Sequence, residues 1–190
     1  LTMPDFTSYC DAVATLDPQH IHRVYHDTAY GFPITDDNQL FERLVLEINQ
    51  AGLSWTTILK KQDAFRHAYH HFDIAVVAAY TEADKTRLLS DAGIIRNRLK
   101  IDAAIHNAQV IQTLRRDYGS FYAWLEHHHP KTLAEWTKLF KQTFRFTGGE
   151  IVNEFLMSIG ILPGAHVDHC PITPIIADHH PLWMDDEAVQ

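Results

Sequence analysis

Apolar residues recur along this chain at intervals of three and four, a period that predicts helices almost throughout. In the stretch 36–55, DDNQLFERLVLEINQAGLSW, an Asp/Asn cap precedes Leu40, Phe41, Leu44, Val45 and Ile48, which form one apolar helix face with Glu47 at its edge. The stretch 96–116 repeats the pattern with Ile101, Ala104, Ile105, Ala108 and Ile111. So does 150–160, through Ile151, Val152, Phe155, Leu156 and Ile159 to the closing Gly160. No run alternates with the period of two expected of a half-buried strand. Short connections carry Gly or Pro at 31–33, 52, 93, 130, 148–149 and 163–164, and there is no long linker, biased tract or repeat. The pattern predicts an all-α fold: a compact array of about eight to ten helices, given the mean helix length.

Composition narrows this further. With 190 residues, 46% of them hydrophobic, the chain can bury a core as one domain over 1–190, with room for two lobes. No segment is apolar for the length of a membrane span, and Asp5, Asp11 and Asp17 occupy the place of a basic, then apolar, signal. A soluble, cytoplasmic protein is expected. Leu1 and Thr2 stand where a methionine would, and read as a remnant of preparation. The two cysteines, Cys10 and Cys170, are too few for a disulfide framework, and a reducing compartment would leave them as thiols for a metal.

The net charge of −8 argues against a nucleic-acid partner, but its distribution does not. Residues 57–116 hold ten of the sixteen Lys and Arg against six acids, whereas 1–56 hold two against eight and 165–190 hold five acids and no base. A basic central face would suit a phosphate backbone; solvated helix faces would look the same in sequence.

Three features could carry chemistry. His166 and Cys170 in AHVDHC are four apart, which on a helix or tight loop brings both to one side, as half of a zinc site; Cys10 and a histidine from YHD at 25–27 could complete it. Buried inert thiols are the alternative. The histidine runs at 70–71, 127–129 and 179–180 have no spaced partners and read as exposed. Glu47, with Gly52 and Trp55 just beyond it, could line a pocket where an anion meets an aromatic wall, or could simply hold its head in water. In FRFTGGE, 144–150, two glycines before a helix would let backbone N–H groups approach a phosphate, though glycine pairs also mark plain turns.

Taken together, YHDTAYG (25–31), LFERLVLEINQAGLSWTTILKK (40–61), DAGIIRNRLKI (91–101), FRFTGG (144–149) and HVDHC (166–170) resemble 3-methyladenine DNA glycosylase I, the zinc-containing branch of the helix-hairpin-helix glycosylases. The resemblance covers about residues 10–170 and leaves an acidic tail, 171–190, outside it. It implies a two-lobed helical fold with a helix-hairpin-helix motif and a structural zinc clasp of Cys10, His26, His166 and Cys170. It implies a monofunctional enzyme that flips 3-methyladenine out of double-stranded DNA and hydrolyses its glycosidic bond; a monomer with no membrane partner is expected.

 Such an enzyme would leave the strand uncut and an abasic site in it.

By the same resemblance Glu47 is the catalytic carboxylate that accepts hydrogen bonds from the adenine's polar edge. Tyr25, Tyr30, Trp55 and Asn153 would wall the base, and the turn Ala51–Leu53, with Gly52 and Leu53 at its tip, would wedge into the gap it leaves. Gly148 and Gly149 would offer amides to a phosphate, with Arg96, Arg98 and Lys100 adding positive charge. The chain departs from the family's pattern at several positions: Asp11 and Ala12 follow Cys10, His22 and Tyr30 replace aromatic residues, and Gly149, Glu150, Asn153 and Glu154 replace hydroxyl and aromatic side chains after the hairpin. A non-catalytic binder of alkylated DNA or free purines is the competing expectation, separable by affinity without turnover. A zinc-stapled helical protein with no nucleic-acid role is a third, and salt-dependent DNA binding would exclude it.

Overall fold

The computed structural model describes residues 8–187; Leu1, Thr2 and Asp5 lie outside them. Among the described residues the secondary structure is helical only. In chain order the helices are α1 (Tyr9–Ala14), α2 (Ile21–Thr28), α3 (Asp37–Gln50), α4 (Trp55–Lys60), α5 (Gln62–Ala68), α6 (Ile74–Ala78), α7 (Glu82–Leu89), α8 (Arg98–Tyr118), α9 (Phe121–His128), α10 (Leu133–Thr143), α11 (Gly149–Ser158), α12 (Thr173–Asp178) and α13 (Trp183–Glu187). That is more helices than the apolar period alone suggests, because the region 62–89 is cut into short pieces. Between α5 and α6 the backbone makes a 3-10 turn in which His70, His71 and Phe72 all take left-handed φ values of 51–56°. Nothing in their residue types announces that conformation. Burial of Phe72 against Tyr69, with ring centroids 5.4 Å apart, holds it in place.

The chain divides into two compact units, one of residues 34–155 and one combining the segments before and after it. In the first, the apolar stripe of α8 is buried as its period predicts, and the helix packs along α6 and α9. Asp36 caps α3 through the Gln39 amide, and Asn97 caps α8 through that of Lys100. Asp37 accepts from the Phe121 and Tyr122 amides and from Arg115 Nε at 2.8 Å, which ties the start of α9 to α3 and α8. The histidine run at 127–129 is a correction: His127 is exposed, but His128 and His129 are half-buried, with His128 edge-on to Trp124.

Asn107 interrupts the apolar face of α8 and is fully buried. Its amide accepts from the Arg145 N–H at 2.8 Å and donates to the Arg145 carbonyl at 3.1 Å, fixing the loop between α10 and α11. Replacing it with alanine leaves both backbone groups without that partner. Asn107→Ala is expected to cost about 3 kcal/mol, read as a lower urea midpoint with an unchanged slope.

Candidate active site and metal centre

In the unit formed by the two chain ends, Ser8 caps α1 through the Asp11 amide, and α1 carries Cys10. α2 carries His26, and the turns after α11 carry His166 and Cys170. The four potential ligand atoms lie within 4.8 Å of one another. His166 Nδ1 is 3.6 Å from Cys10 Sγ and 3.5 Å from Cys170 Sγ, and Cys170 Sγ is 3.8 Å from His26 Nε2. A tetrahedral ion with bonds of about 2.3 Å to sulfur and about 2.0 Å to nitrogen would separate its ligands by roughly 3.3–3.8 Å, so the donor set fits.

The surroundings aim these ligands. His26 Nδ1 lies 2.6 Å from Asp27 Oδ1, leaving Nε2 to face the cluster. His166 Nε2 lies 2.6 Å from the Tyr30 carbonyl, which places the proton there and a lone pair on Nδ1 toward the sulfurs. Burial lowers the His166 pKa, favouring the neutral ring that binds metals. Burial also pushes the Cys10 thiol up to about 11, so a cation is needed to hold it as thiolate. Gly31 passes so close that a Cβ there would come within 2.9 Å of Ala165 Cβ and 3.1 Å of His166 Cδ2. Tyr25 and Tyr30 are buried in this unit with centroids 5.6 Å apart.

In the 34–155 unit, a cavity of about 670 Å³ is bounded by the end of α3, the turn after it, and the start of α11 with the loop before it. Glu47 lies in its wall, 4% exposed, with no hydrogen bond to a described residue. Burial raises its pKa from 4.5 to about 8; Arg43, one turn earlier, opposes the shift and Glu154 adds to it. Asn153 also lines the cavity. Trp55 is half-buried at the start of α4, which Ser54 caps.

The turn at 51–53 is held from beneath. Gly52 takes a φ of 79° and Leu53 is 41% exposed at the tip. Lys100 is buried, and its ammonium donates to the carbonyls of Asn49 at 2.9 Å and Ala51 at 2.7 Å. Its charge therefore caps α3 and braces the turn, where the sequence suggests a free cation. Arg98 is exposed but shared with Glu82 at 3.3 Å and Asp102 at 3.9 Å. Arg96 is exposed and forms no ion pair among the described residues. Much of the basic surplus of 57–116 is likewise paired: Arg66 with Glu42, Lys85 with Asp102, Arg115 with Asp37. In the α10–α11 loop, Thr147 donates to the Phe140 carbonyl, Phe146 takes a φ of 63°, and a Cβ on Gly148 would meet nothing within 4 Å.

The model of the methyladenine glycosylase family matches residues 15–138. DNA-3-methyladenine glycosylase 1 of Escherichia coli is 37% identical over 177 residues, covering 83% of this chain and 93% of its own length. The chain belongs to the methyladenine glycosylase family. The fold agrees with other members. A 3-methyladenine DNA glycosylase I solved in complex with 3-methyladenine superposes with a TM-score of 0.77 at 34% identity, covering 86% of this chain and 96% of that one. The enzyme from Staphylococcus aureus, solved to explain 3-methyladenine recognition, gives 0.77 at 33% identity, with coverage of 86% and 95%. Within this methyladenine glycosylase, sequence reasoning missed the bracing by Lys100 and Asn107. A polar residue inside an otherwise apolar helix face was the available signal for Asn107.

Proposed function

We infer that this chain is a DNA-3-methyladenine glycosylase that hydrolyses the bond between the damaged base and its deoxyribose. The observation that carries the reading is Glu47: a buried carboxylate with no hydrogen bond to a described residue, in the wall of a cavity, in a chain of this family. Methylation leaves the base cationic in the nucleotide. Glu47, largely protonated in the empty cavity at neutral pH, ionises when such a base arrives, because the pair replaces the water both have lost. Neutral adenine offers no such compensation. Water then adds to C1′, the C1′–N9 bond breaks, its electron pair neutralises the base, and the water's proton passes to solvent.

Leu53 at the tip of the braced turn is suited to fill the gap left by the flipped nucleotide. Unstacking costs a few kcal/mol, so an already weakened pair is the favoured substrate. Gly148 and Gly149 are exposed, and the open space beside Gly148 at the start of α11 supports a role for the α10–α11 segment as a helix-hairpin-helix contact to a phosphate of double-stranded DNA. Tyr25, Tyr30, Trp55 and Asn153 are assigned to the base, and Gly52, Gly149, Arg96 and Arg98 to the DNA. Zinc suits the Cys10–His26–His166–Cys170 donors, which would fill all four positions and make its role structural. A monomer working in the cytoplasm, where thiols persist, completes the reading.

Incubation with methylated duplex DNA tests it: free 3-methyladenine should appear with intact strands bearing abasic sites. Release no faster than from DNA alone contradicts it. Arg96→Ala should weaken DNA binding severalfold and reduce the slope of log K against log salt by about one.

A further inference from the structure

α11 carries Glu150 and Glu154 one turn apart, with Asn153 beside them, and all three line the same cavity as Glu47. Like charges at this spacing destabilise a helix by about 0.2–0.5 kcal/mol. Among the described residues neither glutamate is paired with a cation, and none of those lining the cavity is Lys or Arg. The turn at 51–53 adds no titratable group, and α3 contributes Gln50 and, behind Glu47, Arg43. The acids alone would signify little. Glu47 is the independent sign of a ligand, because it is more than nine-tenths buried in that wall and has no hydrogen-bond partner among the described residues.

We propose that Glu154 is a specificity residue which, with Glu47, makes this cavity a two-carboxylate receptor for purines carrying a delocalised positive charge and disfavours neutral ones. The proposal rests on the cavity being the base pocket. Each carboxylate raises the other's cost of ionising: Glu154 adds to the upward shift of Glu47, and is itself shifted upward by burial and by Glu150. A cation relieves both at once, whereas a neutral ring leaves the repulsion in place. During hydrolysis the positive charge moves from ring to sugar without leaving the site. Its attraction to Glu154 is therefore present in ground and transition states alike, and acts on KM more than on kcat.

The test titrates the permanently charged 3,9-dimethyladeninium ion and neutral 9-methyladenine, each with a methyl where the sugar would be, against the wild type and Glu154→Gln by calorimetry. The substitution should weaken the cation about tenfold while leaving the neutral ligand within about twofold, which also reports an intact pocket. It should lower the pH at which cation binding stops releasing a proton from Glu47, and raise KM for methylated DNA more than it lowers kcat. Equal effects on both ligands, no effect on either, or no binding of the cation by the wild type overturns the proposal. If the tenfold difference stands but the wild type releases no base from DNA, the glycosylase reading falls and the cation-selective cavity remains.

Discussion

Glu47→Gln is expected to slow release of 3-methyladenine by about a hundredfold or more, the usual scale for loss of one electrostatic stabiliser, and yet to make the protein more stable at pH 8. Both follow from one buried carboxylate. Because its pKa is raised from 4.5 to about 8 in the folded chain, the folded state binds more protons than the unfolded state across that window. Stability then falls as pH rises through it, by up to about 1.4 kcal/mol per pH unit. Glutamine keeps the shape without the titration. Thermal unfolding should give similar midpoints for the two proteins near pH 4.5 and a higher midpoint for the variant at pH 8. The wild-type kcat/KM should rise with pH up to about 8, since the ionised form is the one that meets the base.

Metal removal should have the other large effect. Structural zinc contributes about 10–16 kcal/mol of apparent binding free energy in small zinc peptides; here α1 and α2 also pack on one another, so a smaller loss is expected. Cys170→Ser should lower the thermal midpoint by about 10 °C or more. Hydrogen exchange should speed up in α1, α2 and residues 166–170, while α8 and α9 keep their protection. Chelation of the wild type should reproduce this and expose two reactive thiols. Acid should act similarly, as protonated imidazoles and thiols no longer bind. Equal exchange with and without chelator would show that the cluster holds no structural ion.

Much of this arrangement is legible in the sequence because it is local. The apolar faces of α3, α8 and α11 are set by side-chain period, and Asp36 and Asn97 announce their caps by residue type. The candidate metal cluster is half legible: the spacing of His166 and Cys170 is local, whereas their meeting with Cys10 and His26 depends on the tertiary fold. Lys100 shows the limit. Its place in a basic run suggests a solvent-facing charge, but two helix-end carbonyls provide a buried site that only tertiary packing creates. The left-handed residues at 70–72 are hidden for the same reason, since a buried Phe72 and not a glycine stabilises that turn.

Single-turnover excision from a duplex carrying 3-methyladenine, with the wild type and Glu47→Gln side by side, tests the central claim most directly. The account predicts one free base and one abasic site per lesion from the wild type, with the variant slower by about a hundredfold or more. Equal rates in the two proteins, or a wild-type rate no greater than spontaneous depurination, would contradict it.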